Sequence, residues 1–263
     1  MTLTHSVSEA NAAAFQRDGY VVLPGLLDEA TCARMRAVAD DHVALQLAPV
    51  EYEVDVKYPG SPADEHAEGA ETTRRLLHAY SRHEIYRQWA TDSRIRAALE
   101  ILFLGSDSER VEAGIELSQC HHNCVMTKHP GYSSATLWHQ DNRYWSFDEQ
   151  NLISVWTALG DETRENGCLR VIPGSHNLAL EPGCFDAAMF LRPDLPDNKK
   201  LIQAAKRVEL HRGDVLFFHS KLFHAAGRNL SDEVKYSLVF TYHQSVNKPI
   251  KDTRSAKFPG ISL

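Results

Sequence analysis

In the stretch TLWHQDNRYW, Thr136 to Trp145, a histidine and an aspartate stand two residues apart inside a run of Trp, Leu and Tyr. An ionised carboxylate buried among apolar rings is costly unless a cation or a full set of donors compensates it. On a strand, alternate side chains share a face, so His139 and Asp141 point one way and Gln140 the other. An imidazole and a carboxylate on one face make two corners of a metal site, and the metal is the cation that resolves the burial problem. The third corner is expected from a histidine on a neighbouring strand. The segment GDVLFFHSKLFHAAGRN offers two, His219 and His224. Two histidines and one carboxylate on one face of an octahedron leave open positions, as in non-haem Fe(II) oxygenases. A solitary His-x-Asp is commonly just a local hydrogen-bonded pair. The aromatic β setting, the distal histidine and the Gly-Asp turn feeding its strand favour the metal.

A louder signal is CHHNC, Cys120 to Cys124. Read as strand, it splits Cys120, His122 and Cys124 onto one face and His121 and Asn123 onto the other. No second cysteine pair with suitable spacing exists, so a structural zinc site is rejected, although one or two of these residues can line a cavity. Other catalytic templates are missing: no Gly-x-Ser-x-Gly elbow, no phosphate-cradling Gly-Lys-Ser/Thr loop, and no Gly-x-Gly-x-x-Gly opening a helix. Ser175 and His176 fall in IPGSHN, where the Pro-Gly makes a turn rather than a nucleophile–base pair.

The elements that must position these residues divide the chain in two. Residues 1–110 read as mainly helical. One helix lies in SVSEANAAAFQRDGY, with Ser and Glu as caps and an end near Gly19. A short strand follows in YVVLPG. Asp28 caps a second helix through EATCARMRAVADDHVALQL. A third helical region, HEIYRQWATDSRIRAALEILFLG, breaks at Thr91–Asp92 and stops near Gly105. Between them, residues 49–72 form a polar, Pro- and Gly-rich loop that is long enough to act as a cover. Residues 111–245 carry short, evenly spaced β segments punctuated by Pro-Gly, Asn-Gly and Gly-Asp turns. Such texture predicts an all-β core with flanking helices: a double-stranded β-helix (jelly roll, cupin-like) with the N-terminal helices packed on one sheet. A Pro-rich insertion at 177–206 is a possible lid. The whole is expected to be one domain, residues 1–263.

Composition sets the outer limits. At 263 residues the chain buries a full core. Its net charge of −7 repels a phosphate backbone, which argues against nucleic acid. Five cysteines without repeated spacing suit reduced thiols, not a disulfide framework. The N-terminus has no basic and apolar leader pattern, and no apolar run reaches the length of a membrane span. A cytoplasmic protein acting on a small molecule, with no membrane contact, is the expectation; the oligomeric state is not readable.

The segments WHQDNRYW, LISVWTALGDETRENGCLRVIPGSH and GDVLFFHSKLFHAAGRNLSDEVKYSLVFTYH resemble the phytanoyl-CoA dioxygenase (PhyH)-like family of Fe(II)/2-oxoglutarate-dependent oxygenases, to whose broad group ectoine hydroxylases belong. The resemblance covers about residues 111 to 243, and the opening FQRDGYVVLPGLLDE fits it too. It implies Fe(II) held by His139, Asp141 and His224, with 2-oxoglutarate chelating two open positions and O2 taking the last. It selects His224 over His219, which becomes a wall residue. The family's usual arginine for the far carboxylate of 2-oxoglutarate is replaced by Lys235, which keeps the charge but loses the bidentate fork. The family's usual hydroxyl two residues after the distal histidine is replaced by Ala226, leaving Ser237 or Tyr242 as possible helpers. Trp156 matches a tryptophan near 2-oxoglutarate, and Gln140 the residue that supports the site from behind. Arg143 and Trp145, on the metal-facing parity, and Lys128, at the mouth, are substrate-contact candidates. Asp141 fills the position that halogenating relatives leave to chloride, so hydroxylation or a related oxidation of an unactivated C–H is implied. The rival readings are a non-catalytic jelly-roll sensor of metal or 2-oxoacid, and a zinc-dependent isomerase or hydrolase on the same triad.

Overall fold

The structure, a computed structural model, describes residues 7–104 and 113–263. The expected helix stop at Gly105 and the boundary at residue 110 lie outside the described residues. Helix α1 (Glu9–Asp18) leads into strand β1 (Tyr20–Leu23), and α2 (Glu29–Ala44) into β2 (Val50–Tyr52) and β3 (Thr73–Leu77). Helices α3 (Ala79–Arg82), α4 (Glu84–Ala90) and α5 (Ser93–Leu104) follow. Next come β4 (Ile115–Leu117), β5 (Asn123–Lys128), β6 (Thr136–His139), β7 (Leu152–Ala158) and β8 (Leu169–Val171). Helix α6 (Pro196–Gln203) precedes β9 (Lys206–Val208), β10 (Val215–His219), β11 (His224–Ala226), β12 (Lys235–Gln244) and β13 (Ile261–Ser262).

Local chemistry sets the helix ends. The Ser8 hydroxyl accepts from the Asn11 amide at 3.1 Å, and Asn11, not the expected glutamate, completes the reciprocal cap. Gly19 ends α1 in the left-handed conformation. Asp28 caps α2 through the Thr31 amide at 2.8 Å. The break between α4 and α5 falls at Thr91 and Asp92, as their hydrogen-bonding side chains suggest.

All strand pairs are antiparallel, and among the described residues they form two sheets. The larger runs β1-β10-β7-β12-β5-β3-β2, with β4 joining β12 and β13; the smaller runs β6-β11-β8-β9. This is the jelly roll. β12 is buried along all ten residues because both its faces are covered. Leu238, Phe240 and Tyr242 pack toward the helices with Phe15, Met35, Trp89 and Leu99, whereas Val239 joins Trp156, Leu169, Val171 and Leu216 between the sheets. The period of two along one strand therefore separates the helix-facing core from the barrel interior.

Two features differ from the sequence expectation. The 49–72 stretch is not loop from its start: β2 pairs with β3, and a turn of 3-10 helix at Glu53–Asp55 buries Glu53. CHHNC is not one strand, because a turn at residues 119–122 precedes β5. Its residues consequently do not follow simple alternation. The 177–206 insertion packs on the outer face of the small sheet, where Leu191 meets Trp138, Ile172 and Phe223.

Candidate metal centre and adjoining cavity

Strands β6 and β11 pair in register so that His139 and His224 are direct cross-strand partners. Their rings lie 4.2 Å apart. Gln140 remains extended, and the chain then enters a turn of 3-10 helix, Asp141–Tyr144. Two-residue parity thus still carries Asp141 to the side of His139. Beyond Asp141 it does not, since the turn redirects each later side chain.

The tautomers of the two imidazoles are set by the backbone. His139 Nδ1 donates to the Leu137 carbonyl at 2.8 Å, and His224 Nδ1 to the Leu222 carbonyl at 3.0 Å. Each Nε2 is left as a lone-pair donor aimed inward, at 3.7 Å and 3.5 Å from Asp141 Oδ1. One ligand atom from each of the three buried residues falls within 4.8 Å of the others. Burial, reinforced by the His224 ring, pushes His139 well below its ordinary value and keeps it uncharged. Burial alone would raise the Asp141 carboxyl, but His122, His224 and His139 together with the Ser154 hydroxyl hold it below the usual range. Two imidazole nitrogens and one carboxylate oxygen, pre-turned by hydrogen bonds behind them, suit a borderline divalent ion such as Fe(II).

The triad opens into a cavity lined by residues from both sheets. Lys128, Trp156, Lys235 and Ser237 are all on its wall. β5 and β12 put Lys128 and Lys235 directly opposite one another. Burial first, then Lys235 and Arg74, push the Lys128 ammonium down to about 7. Its Nζ donates to the Ser134 carbonyl at 2.8 Å. Lys235 Nζ lies 2.8 Å from Glu162 Oε2 and 5.2 Å from the Trp156 ring centre. The other Glu162 oxygen accepts from Trp156 Nε1 at 2.7 Å and from Ser237 Oγ at 2.6 Å. Opposite Ala226, β6 supplies Thr136, whose hydroxyl side chain also lines the cavity.

Several sequence candidates lie elsewhere. Gln140 is outside the cavity lining, and its amide donates to the Lys221 carbonyl at 2.5 Å, tying the end of β6 to the turn before β11. Tyr242 points to the helices and donates to the Ala90 carbonyl at 2.8 Å. Trp145 stands behind the metal site, stacked on His121 at 4.7 Å and edge-on to His122 at 5.4 Å. Arg143 is not on the cavity lining but borders it through Phe190, whose ring centre is 4.0 Å from the guanidinium and 6.0 Å from the His139 ring; it donates to Tyr58 Oη and the Ala188 carbonyl, each at 3.2 Å. His219 accepts from the Lys221 amide and takes no part in the triad. Ser175 and His176 bind the Phe223 amide and the Gln16 carbonyl, which makes both structural.

Sequence reasoning did not single out Arg74, Arg75, Thr136 or Glu162, nor place His122 at the metal. Arg74 and Arg75 line the cavity from β3 and pair with Glu51 and Glu53 at 3.3–3.4 Å. The available signal was a double arginine in a strand-like run, ETTRRLL, beside an acidic segment. Glu162 followed the buried strand WTAL closely enough to be suspected of turning back into the core.

Among the described residues, no helix is long and apolar enough to cross a membrane. Known structures share the architecture. SnoN, described as a non-haem α-ketoglutarate-dependent epimerase from nogalamycin biosynthesis, aligns at 26% identity with a TM-score of 0.67 over 89% of this chain and 79% of its own. EctD from S. alaskensis, solved with 2-oxoglutarate and 5-hydroxyectoine, shares the fold at 20% identity and a TM-score of 0.74, over 95% of this chain and 80% of its own. In sequence, phytanoyl-CoA dioxygenase 1 of Oryza sativa subsp. japonica is 32% identical over 111 residues, and the peroxisomal phytanoyl-CoA dioxygenase of Homo sapiens is 33% identical over 119. These matches cover 42% and 41% of this chain but only 40% and 34% of the rice and human proteins. The family profile described as phytanoyl-CoA dioxygenase (PhyH) matches residues 15–237. With most of its length inside that match and the jelly roll in place, the chain belongs to the phytanoyl-CoA dioxygenase (PhyH) family.

Proposed function

We propose that the chain, acting as one domain, is a non-haem Fe(II)- and 2-oxoglutarate-dependent dioxygenase that oxidises an unactivated C–H of a small molecule. The observation that carries this reading is the pair of backbone-locked imidazoles whose Nε2 atoms converge on one oxygen of Asp141. His139, Asp141 and His224 would hold the iron. When bound, the iron and 2-oxoglutarate supply the activation of O2, with 2-oxoglutarate leaving as succinate and CO2.

The chain's own groups do the placing. Lys235 and Lys128, facing each other across β12 and β5, hold the far carboxylate of 2-oxoglutarate with two point charges in place of one fork. Lys128 thereby contacts the co-substrate rather than the substrate. Ser237 and Thr136 offer hydroxyls, Trp156 walls the site, and Glu162 fixes both Trp156 and Lys235. Beside the cavity, Arg143 joins Tyr58 of the 49–72 stretch to Ala188 and Phe190 of the 177–206 insertion. It acts as the clasp of a cover that keeps water out. The substrate is a small organic molecule, and five free cysteines among the described residues favour the cytoplasm.

The test is an anaerobic titration with Fe(II) and 2-oxoglutarate, followed by exposure to air. A visible charge-transfer band that is lost in His224→Ala, and 2-oxoglutarate-dependent succinate release, are expected. A folded protein that shows neither would sink the oxygenase in favour of a sensor. Metal-dependent turnover of a substrate without succinate would favour the zinc enzyme.

A further inference from the structure

The two oxygens of Asp141 keep different company. Oδ1 faces the Nε2 atoms of His224 and His139. Oδ2 accepts from the Ser154 hydroxyl at 3.1 Å and lies 3.4 Å from His122 Nδ1, an ion-pair distance rather than an aligned hydrogen bond. These two neighbours arrive from separate parts of the fold, Ser154 on β7 and His122 in the turn before β5. The His122 ring lines the cavity, and Trp145 braces it edge-on at 87°. Its Nδ1 is buried and has no hydrogen-bond partner. A buried nitrogen without a partner is uncommon, and Oδ2 is the acceptor this one faces.

Coordination geometry gives that arrangement a purpose. Two imidazoles, one carboxylate oxygen and a chelating 2-oxo acid fill five of six octahedral positions. A carboxylate that swings to bind through both oxygens takes the sixth, and O2 is shut out. We propose that His122, together with Ser154, occupies Oδ2 and so keeps Asp141 a one-oxygen ligand, which preserves the vacancy for O2. His122 is in this sense a positioning residue that acts through Asp141. The inference rests on the iron and 2-oxoglutarate reading above and assigns a use to the one residue of CHHNC that reaches the metal face. Its neighbour His121 is spent on Ser255 and the Trp145 stack.

Nitric oxide, a stable surrogate for O2, reports on the vacancy without turnover. Anaerobic Fe(II)–2-oxoglutarate complexes of wild type, Ser154→Ala, His122→Leu, the double variant and His122→Asn are titrated with nitric oxide, followed by electron paramagnetic resonance and absorption. The double variant is expected to retain the charge-transfer band while its nitric oxide affinity falls at least about tenfold, with a changed signal. His122→Asn, whose amide reaches the Nδ1 position, restores most of the loss. Should the double variant not fold, the single His122→Leu against His122→Asn decides the matter by the same readout. Wild-type affinity and signal in an iron-loaded His122→Leu protein overturn the proposal. Absence of the charge-transfer band from the wild type itself defeats the underlying oxygenase reading instead.

Discussion

Replacing Glu162 by glutamine probes the least expected part of the site. The carboxylate is fully buried, and both oxygens are engaged: Oε1 by Trp156 and Ser237, Oε2 by Lys235. Glutamine keeps one acceptor. If that oxygen serves Trp156 and Ser237, the new NH2 confronts the Lys235 ammonium, donor against donor. Removing one member of a buried pair costs about 3–5 kcal/mol. At roughly 2–4 °C per kcal/mol for a chain of this size, the Tm should fall by roughly 6–20 °C. 2-Oxoglutarate should reverse part of the loss, because its far carboxylate returns a negative charge to Lys235. Recovery of about 1.4 kcal/mol would appear as roughly tenfold tighter binding than in wild type. The assay is thermal unfolding with and without metal and 2-oxoglutarate, alongside anaerobic calorimetry. A Glu162→Gln protein that melts with wild type, or gains no more than wild type from the ligand, would refute the reasoning.

Two further outcomes follow from the same geometry. The Lys128 ammonium, pushed down to about 7 by burial, Lys235 and Arg74, binds an anion only when protonated. Affinity for 2-oxoglutarate should therefore be full below pH 7 and weaken by about tenfold per unit above it. Because the folded value is the lower one, this lysine's contribution to stability runs the other way, present at high pH and lost as the pH falls toward 7. Calorimetry in buffers of different ionisation enthalpy should show proton uptake on binding at pH 8, and Lys128→Met should abolish both uptake and slope. Arg143→Ala removes the donors to Tyr58 and Ala188 and the stack on Phe190. Amide exchange around residues 56–69 and 183–192 should quicken by about 5–30-fold, the equivalent of 1–2 kcal/mol, with metal affinity unchanged. Unaltered exchange in both stretches would show that Arg143 does not bridge them.

The triad was legible because it depends on strand parity and on a motif that survives small changes of backbone. His139 and Asp141 stay on one side because Gln140 is extended, and His224 meets them through strand pairing. Strand parity ends one step later. Alternation predicts Arg143 and Trp145 on the metal face, but the 3-10 turn at Asp141–Tyr144 ends that alternation. Failure in CHHNC has the same origin, a turn where a strand was read, and it concealed that His122 reaches Asp141. Glu162 and the Arg74–Arg75 pair were hidden for another reason. Acidic and basic residues in polar segments usually face solvent, and only long-range pairing reveals that Glu51, Glu53 and Glu162 are spent on buried cations.

The cross-strand pairing of His139 with His224 joins positions 85 apart in sequence (224 − 139 = 85), across the narrow sheet. No stretch of unfolded chain holds the three donors together, so an ion captured by them belongs to the native state alone. Every decade of free metal above its dissociation constant then adds about 1.4 kcal/mol to the fold. Starving the protein of iron should accordingly loosen the small sheet first, since the clasp that fastens β6 to β11 goes with the ion.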